Sequence, residues 1–228
     1  MGGGVFSKTN SVVNHCVIEN NSATNDGGVL TVCAIAGNDA SEGGGVYGES
    51  DGFLYYCSIN GNTATDGGGV YLWDDGELFN CTIATNYASV SGGGIVCSNK
   101  GTVVNSIIYD NQAALEKNNW QSYTTNVTFS YCCTTPLTGL PGGSGCISEN
   151  PLFVAPGLDY HLINGSPCID AGTNMAWMTT ATDLDGNPRI HDGIVDMGCY
   201  EFIPEPGLGI WIFGILVMRN IMKIRRCA

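Results

Sequence analysis

Apolar and small polar positions alternate along the first half of the chain in short bursts, none of them long enough for a stable helix. Val70-Tyr-Leu-Trp73 and Leu78-Phe-Asn-Cys-Thr-Ile83, separated by Asp74-Asp75-Gly76, read as two strands joined by a turn. Around them the pattern C-x-I-x-x-N recurs as Cys16, Ile18, Asn21; Cys33, Ile35, Asn38; Cys57, Ile59, Asn62; and Cys81, Ile83, Asn86. A fifth copy, Ser106, Ile108, Asn111, has serine for cysteine. Glycine blocks ending in an aliphatic residue follow the first four, at Gly27-Gly28-Val29, Gly43 to Val46, Gly67 to Val70 and Gly92 to Ile95. From cysteine to aliphatic residue the distances are 13, 13, 13 and 14 positions. From Cys33 onward the copies recur at an almost constant interval, and only the step from Cys16 to Cys33 is shortened. A long, regular period of this kind marks a solenoid whose turns bury their apolar faces against one another.

A leucine-rich repeat has a comparable period and a similar L-x-L-x-x-N core. It needs many leucines and a helical or tightly turned return, whereas the returns here are Gly, Asp, Asn, Ser and Thr, which break helices and favour turns. The expected fold is therefore all-β, a right-handed parallel β-helix. Stacked at the inter-strand spacing of about 4.8 Å, the repeated positions become ladders. The isoleucines form an inward apolar column, the cysteines an inward column of small side chains, and the asparagines a column of amides bonded along the axis. The glycine blocks allow turns where a Cβ would clash. All of this follows from folding alone and implies no chemistry.

Composition narrows the function. Lys+Arg number 8 against 21 Asp+Glu, a formal charge of -13. Four of the eight cations, Arg219, Lys223, Arg225 and Arg226, stand in the last ten residues, so residues 1–206 carry 4 minus 21, or -17. Such a surface repels nucleic acid and anionic lipid, which excludes a nucleic-acid partner, and attracts divalent cations. Eleven cysteines cannot all pair within one chain. Rung spacing slightly exceeds the Cβ separation of a relaxed disulfide, so Cys16, Cys33, Cys57 and Cys81 are expected to stay reduced. Cys132, Cys133, Cys146, Cys168 and Cys199 are better bridge candidates, with no pairing implied. His15, His161 and His191 stand apart from any zinc-site spacing.

In chain order, rungs occupy residues 1–135, with the chain opening inside a glycine block and no signal peptide, so that further rungs are expected upstream of Met1. Ala113 to Trp120 has the only marked helical propensity of this part and is expected to project as a loop or helical turn. After Pro136 the repeat fades into Gly/Pro-rich turns and a motif-dense region. Leu162-Ile-Asn-Gly-Ser-Pro-Cys-Ile-Asp-Ala-Gly172, Thr182-Asp-Leu-Asp-Gly-Asn-Pro-Arg-Ile190 and Gly193-Ile-Val-Asp-Met-Gly-Cys-Tyr-Glu-Phe202 closely resemble the choice-of-anchor Q domain. That family joins such a module to right-handed β-helix repeats of bacterial surface proteins, often likened to polymorphic outer membrane proteins. The resemblance sets residues 136–202 apart as a β-rich module. Cys168 and Cys199 stand where small residues such as alanine are expected, which makes a bridge between them a hypothesis.

Residues 203–228 differ again. Ile203-Pro-Glu-Pro206, the apolar run Gly207 to Met218 and the basic end Arg219 to Arg226 resemble a PEP-CTERM sorting signal. That resemblance implies export, recognition by a sorting machinery and surface or outer-membrane attachment. Extended to Ile224 the run reaches about 27 Å as a helix, short for a bilayer but helped by snorkelling of Arg219 and Lys223. One C-terminal hydrophobic helix is expected.

Chemistry is sparse. Asp183, Asp185 and Asn187 have the oxygen spacing of a calcium loop but lack its closing glutamate, so a hydrogen-bonded turn competes with a weak metal site. Arg189 is expected to pair with a nearby carboxylate such as Asp192 or Asp196, in a capping rather than a catalytic role. Parallel β-helices include pectate lyases, but residues 1–188 contain no arginine to act as the base, and Lys8, Lys100 and Lys117 are scattered. Asp26, Glu42 and Asp66 form one column, continued by Ser91, and read as an acidic solvated edge. Tyr47, Tyr71, Trp73, Tyr55 and Tyr56 offer rings to stack on sugars. The expectation is an exported, surface-anchored β-helix with a structural, adhesive or glycan-contacting role toward cell envelope or extracellular polysaccharide. It assigns no catalytic or cofactor residue; the alternative is a polysaccharide lyase or glycoside hydrolase with unrecognised catalytic rungs.

Overall fold

A computed structural model of the chain describes residues 12–14, 16–19, 22–23, 29–31, 33–48, 53–115 and 117–204. Each described strand of the repeat is too short to stand alone and pairs in parallel with its equivalent one repeat away. One rung shows the plan: Phe53–Tyr55, Ser58–Asn60, Thr63–Asp66 and Val70–Leu72 follow one another around a turn. On them lie Gly76–Phe79, Thr82–Ala84, Tyr87–Ser91 and Ile95–Cys97. Among the described residues this gives parallel sheets of seven, six, five and four strands, a parallel β-solenoid of about four turns.

Register is held by buried columns. Ile35, Ile59, Ile83 and Ile108 pair in sequence along one sheet, and Val46, Val70, Ile95 and Trp120 along another, all inside the core. A slip by one residue would turn each column to solvent, so the apolar pattern specifies the stacking.

Corners repeat as faithfully as strands. Tyr56, Asn80, Asn105 and Tyr131 all adopt left-handed backbone, with φ of 56°, 50°, 51° and 51°. Within the glycine triplet the positions have separate reasons. Gly67 takes φ +64°, whereas a Cβ on Gly69 would lie 2.7 Å from the Gly94 oxygen and 2.8 Å from both Asn86 Nδ2 and Ile83 Cγ2. The first glycine supplies a turn, and the third lets the backbone pass directly over the asparagine and isoleucine columns.

Of the loop or helical turn expected over 113–120, the described residues form the loop and no helical turn. Gln112–Ala113 and Trp120–Ser122 are strands, and Trp120 drives into the core with its indole N–H donating to the Pro136 oxygen at 2.9 Å. Burial of that ring outweighs a weak local helical preference. Stacking runs on to Gly142–Ser144, which lies at the edge of the seven-stranded sheet against Val127–Ser130.

Downstream residues return along the flank of the solenoid. They form an antiparallel pair, Phe153–Ala155 with Asp159–Leu162, and a 3-10 helix, Ala176–Thr180. The Asn105 amide exchanges bonds with Thr173, donating to its oxygen at 2.9 Å and accepting from its N–H at 2.8 Å. Cys199 N–H donates to the Thr82 hydroxyl, Asn80 Nδ2 to the Asp196 oxygen, and Thr85 and Tyr160 hydroxyls meet at 2.6 Å. Trp177 sets its edge against the stacked rings of Tyr55 and Phe79. Among the described residues no helix is long and apolar enough to cross a membrane, and the apolar run 207–218 with its basic end lies outside them.

Candidate functional site

Two columns of the repeat are polar networks inside the solenoid. The Asn38 amide donates to Asn62 Oδ1 at 3.0 Å, Asn62 to Asn86 Oδ1 at 3.0 Å and Asn86 to Asn111 Oδ1 at 2.9 Å. Each oxygen also receives the backbone N–H of the preceding asparagine, and Asn62 and Asn86 donate in addition to Ile35 and Ile59 carbonyls. Asn119 follows Asn111 closely in the chain and supplies the next oxygen, because the shortened loop brings it onto the column. Asn21 lies outside the described residues, and of Ile18 only its pairing with Ile35 is described.

The cysteine column is longer than its spacing suggests. Backbone bonds run from Ala34 to Cys16, Ser58 to Cys33, Thr82 to Cys57, Ile107 to Cys81, Cys133 to Ser106 and Ile147 to Cys132, so Cys132 and Cys146 occupy the same stack. Its side chains have a task besides filling space. The thiols of Cys57, Cys81, Cys132 and Cys146 and the Ser106 hydroxyl each donate to the carbonyl two residues back, just before the left-handed corner. Any small side chain with an S–H or O–H meets that need, which explains serine at 106.

On the outer face of the solenoid, chemistry gathers along the four-stranded sheet and its neighbour. Tyr47 and Tyr71 stack at 5.3 Å and are 7% and 5% exposed, so their faces are spent on each other. Trp73, stacked beyond Tyr71, is 47% exposed. Regular backbone bonds from Trp73 to Gly48, Ser98 to Leu72 and Tyr123 to Cys97 place Trp73, Ser98 and the exposed Tyr123 in one outward column. Two rungs, about 10 Å, therefore separate the backbones that carry the two exposed rings. Beside them runs the polar column in which Glu42 bridges to Asp66 and Asp66 pairs with Ser91. Ser91 donates to Asp66 Oδ1 at 2.8 Å, which leaves its oxygen to accept from the Tyr123 hydroxyl at 3.0 Å. Burial raises the Tyr71 phenol, and Glu42, Tyr123 and Asp66 add to that. Asp26 lies outside the described residues.

The C-terminal motifs build a buried clasp. Arg189, fully buried, pairs with Glu201 Oε1 at 2.9 Å and donates to the Asp196 and Gly198 carbonyls. Its partner is thus Glu201 rather than the side chain of Asp192 or Asp196, because the Asp196 carboxylate is taken by the N–H groups of Asp170 and Phe202. Burial pushes Glu201 up to about 8, against the pull of Arg189, and also raises Asp196. The guanidinium lies 5.3 Å from the Tyr56 ring, and Trp177 covers Tyr55, so neither tyrosine is a sugar platform.

Asp183 accepts four donors on its two oxygens: Asp185 N, Asn187 N, Asn187 Nδ2 and Glu201 N. Asp185 is engaged by His161 Nε2 at 2.8 Å. The trio Asp183, Asp185 and Asn187 closes a hydrogen-bonded turn and does not fit a calcium ion as arranged. His161 stands between Asp185 and Asp159, the latter 2.5 Å from Nδ1, and stacks on Tyr200 at 3.9 Å. Burial works against the imidazolium, but the two carboxylates outweigh it and raise His161. The ring borders a cavity of about 700 Å³ with apolar walls from Val154, Ile163, Phe202 and Ile203.

No disulfide joins the ten described cysteines. Cys168 and Cys199 are unbridged: the Cys168 thiol meets Cys133, and the Cys199 thiol meets the Thr82 hydroxyl. Comparison with family models, curated proteins and solved structures finds no match to this chain.

Proposed function

We propose that the chain is a glycan-contacting right-handed β-helix, exported and attached to the cell surface through its C-terminal segment. The observation that carries the glycan reading is the outward column of Trp73, Ser98 and Tyr123 beside the Tyr123–Ser91–Asp66 hydrogen-bond chain. Two exposed rings about two rungs apart span a disaccharide along the axis, and hydroxyl and carboxylate groups flank it to receive sugar hydroxyls. Attachment rests on the resemblance of residues 159–202 to a choice-of-anchor module and of residues 203–226 to a PEP-CTERM signal.

A glycan array with the intact chain tests this. Wild type is expected to bind neutral polysaccharide, and Trp73→Ala to weaken it about tenfold, the loss of one aromatic contact of ~1.4 kcal/mol. Asp66→Asn should weaken it less. Equal binding by wild type and Trp73→Ala would remove this column from consideration, and release of an unsaturated uronate would replace binding by lyase activity.

A further inference from the structure

We infer that Cys146 and Cys132 are a reversible thiol–disulfide modification site at the C-terminal edge of the solenoid, with Cys146 as the attacking and Cys132 as the resolving sulfur. The pair occupies consecutive positions of the cysteine column, and the Cys132 N–H donates to Cys146 Sγ at 3.4 Å. Their accessibility differs in the sense such a reaction needs. Cys132 is fully buried, whereas Cys146 is half-buried on the turn that follows the edge strand Gly142–Ser144.

Position in the stack decides which thiols can join. Neighbouring rungs lie about 4.8 Å apart, somewhat more than the Cβ separation of roughly 3.5–4.5 Å that a disulfide takes. Cys57 and Cys81 have rungs on both sides and cannot close that gap without shifting a ladder. At the edge, the connection from Cys132 to Cys146 is far shorter than those from Cys81 to Ser106 and from Ser106 to Cys132, and its strand pairs on one side only. The register is already irregular there. Electrostatics points the same way. Hydrogen bonding from Cys132 lowers the Cys146 thiol to about 7, while burial raises Cys132, Cys97 and Cys199. A thiolate-forming, accessible sulfur beside a buried resolving one is the arrangement that reacts.

The oxidant class is a disulfide, R–S–S–R. Cys146 thiolate attacks one of its sulfurs, forming Cys146–S–S–R and expelling RS⁻, which takes a proton. Cys132, after losing its proton to solvent, attacks Cys146 Sγ and expels the second RS⁻, which is protonated in turn. Two protein thiols are oxidised and one external disulfide is reduced to two thiols.

Reduced full-length chain exposed to oxidised glutathione tests this by nonreducing peptide mapping. Wild type should show a Cys132–Cys146 link, a mass lower by two hydrogens and no retained glutathione. Cys132→Ser should retain one glutathione on Cys146, and Cys146→Ser should react at least tenfold more slowly at this site. Serine is tolerated in the column at Ser106, and thermal melting checks that each variant is folded. In wild type alone, alkylation of Cys146 should rise with a midpoint near pH 7. A stable glutathione adduct on wild-type Cys146, or a link at Cys133–Cys168 instead, would overturn the assignment.

Discussion

Replacing Asn86 by alanine is expected to destabilise the solenoid by roughly 3–5 kcal/mol, a large part of the stability of an ordinary domain. The side chain is 1% exposed and holds two neighbouring rungs at once. Its oxygen receives the Asn62 N–H at 2.9 Å and the Asn62 amide at 3.0 Å, and its own amide reaches the Ile59 carbonyl and Asn111 Oδ1, both at 2.9 Å. Alanine leaves two donors and two acceptors short of a partner where water cannot replace it, and each unsatisfied group costs about 1–3 kcal/mol. Part of that loss is recovered as the ladder relaxes, since Asn111 Oδ1 still accepts the Asn86 N–H. Asn60→Ala is the control. Asn60 closes the strand Ser58–Asn60, is half-buried, and its side chain bonds only Ser58 Oγ at 3.2 Å, so its loss should cost about 1 kcal/mol or less. Urea titration reads both: a fall in midpoint for Asn86→Ala no larger than for Asn60→Ala would show that the column does not hold the rungs.

Such interactions divide into those with a period and those without. The strands, the isoleucine column and the glycine turns recur because each rung solves the same packing problem. The repeat in the amino-acid sequence is therefore the repeat of the strands in space. Cys132 joins the column after a slightly lengthened step and Cys146 after a much shortened one, which breaks the period and hides both among bridge candidates. Asn119 comes onto the amide column through a short loop, where no rung-length pattern points to it.

The flank is harder still to read. Trp177 packing on Tyr55, or Thr82 accepting from Cys199, are contacts between segments far apart in the chain, set by shape rather than by any local pattern. Local spacing also misleads at Arg189. Asp192 and Asp196 are nearer in sequence, yet it is Glu201 Oε1 that meets the guanidinium at 2.9 Å, the Asp196 carboxylate being taken by backbone N–H groups. On the outer face, the acidic column is legible as a column, but its bond through Ser91 to Tyr123 depends on how adjacent sheets fold toward each other at a corner.

The buried clasp makes stability depend on pH in an unusual direction for an acidic protein. Glu201 is raised from 4.5 to about 8 by burial, so the folded chain keeps a proton that the unfolded chain has lost. Its contribution is complete below about pH 4.5 and disappears as pH rises through about 8. His161, raised above 6.5 by Asp159 and Asp185, acts in the same sense: its contribution is present below 6.5 and lost as pH rises through the raised value. Asp159, lowered from 3.8 by His161, opposes them in acid, where its contribution is lost as pH falls. Cys146, lowered from 9.0 to about 7 chiefly by the Cys132 hydrogen bond, opposes part of the decline as pH rises from 7 to 9. Repulsion within a chain of net charge -13 adds to the loss at high pH. The stability maximum should therefore fall near pH 5, with a decline of roughly 2–4 kcal/mol, or about 5–15 °C in Tm, by pH 8.5. Glu201→Gln cannot ionise and keeps the shape of the clasp, so it should lower stability at pH 5 yet remove most of the slope between pH 5 and 8.5. His161→Asn should remove the smaller part of the slope that lies near neutrality. Calorimetry across this range decides the matter: a Tm that is flat or rises from pH 5 to 8.5 in the wild type, or a slope undiminished in Glu201→Gln, would show that Glu201 is ionised in the folded clasp and that Arg189, not burial, governs it.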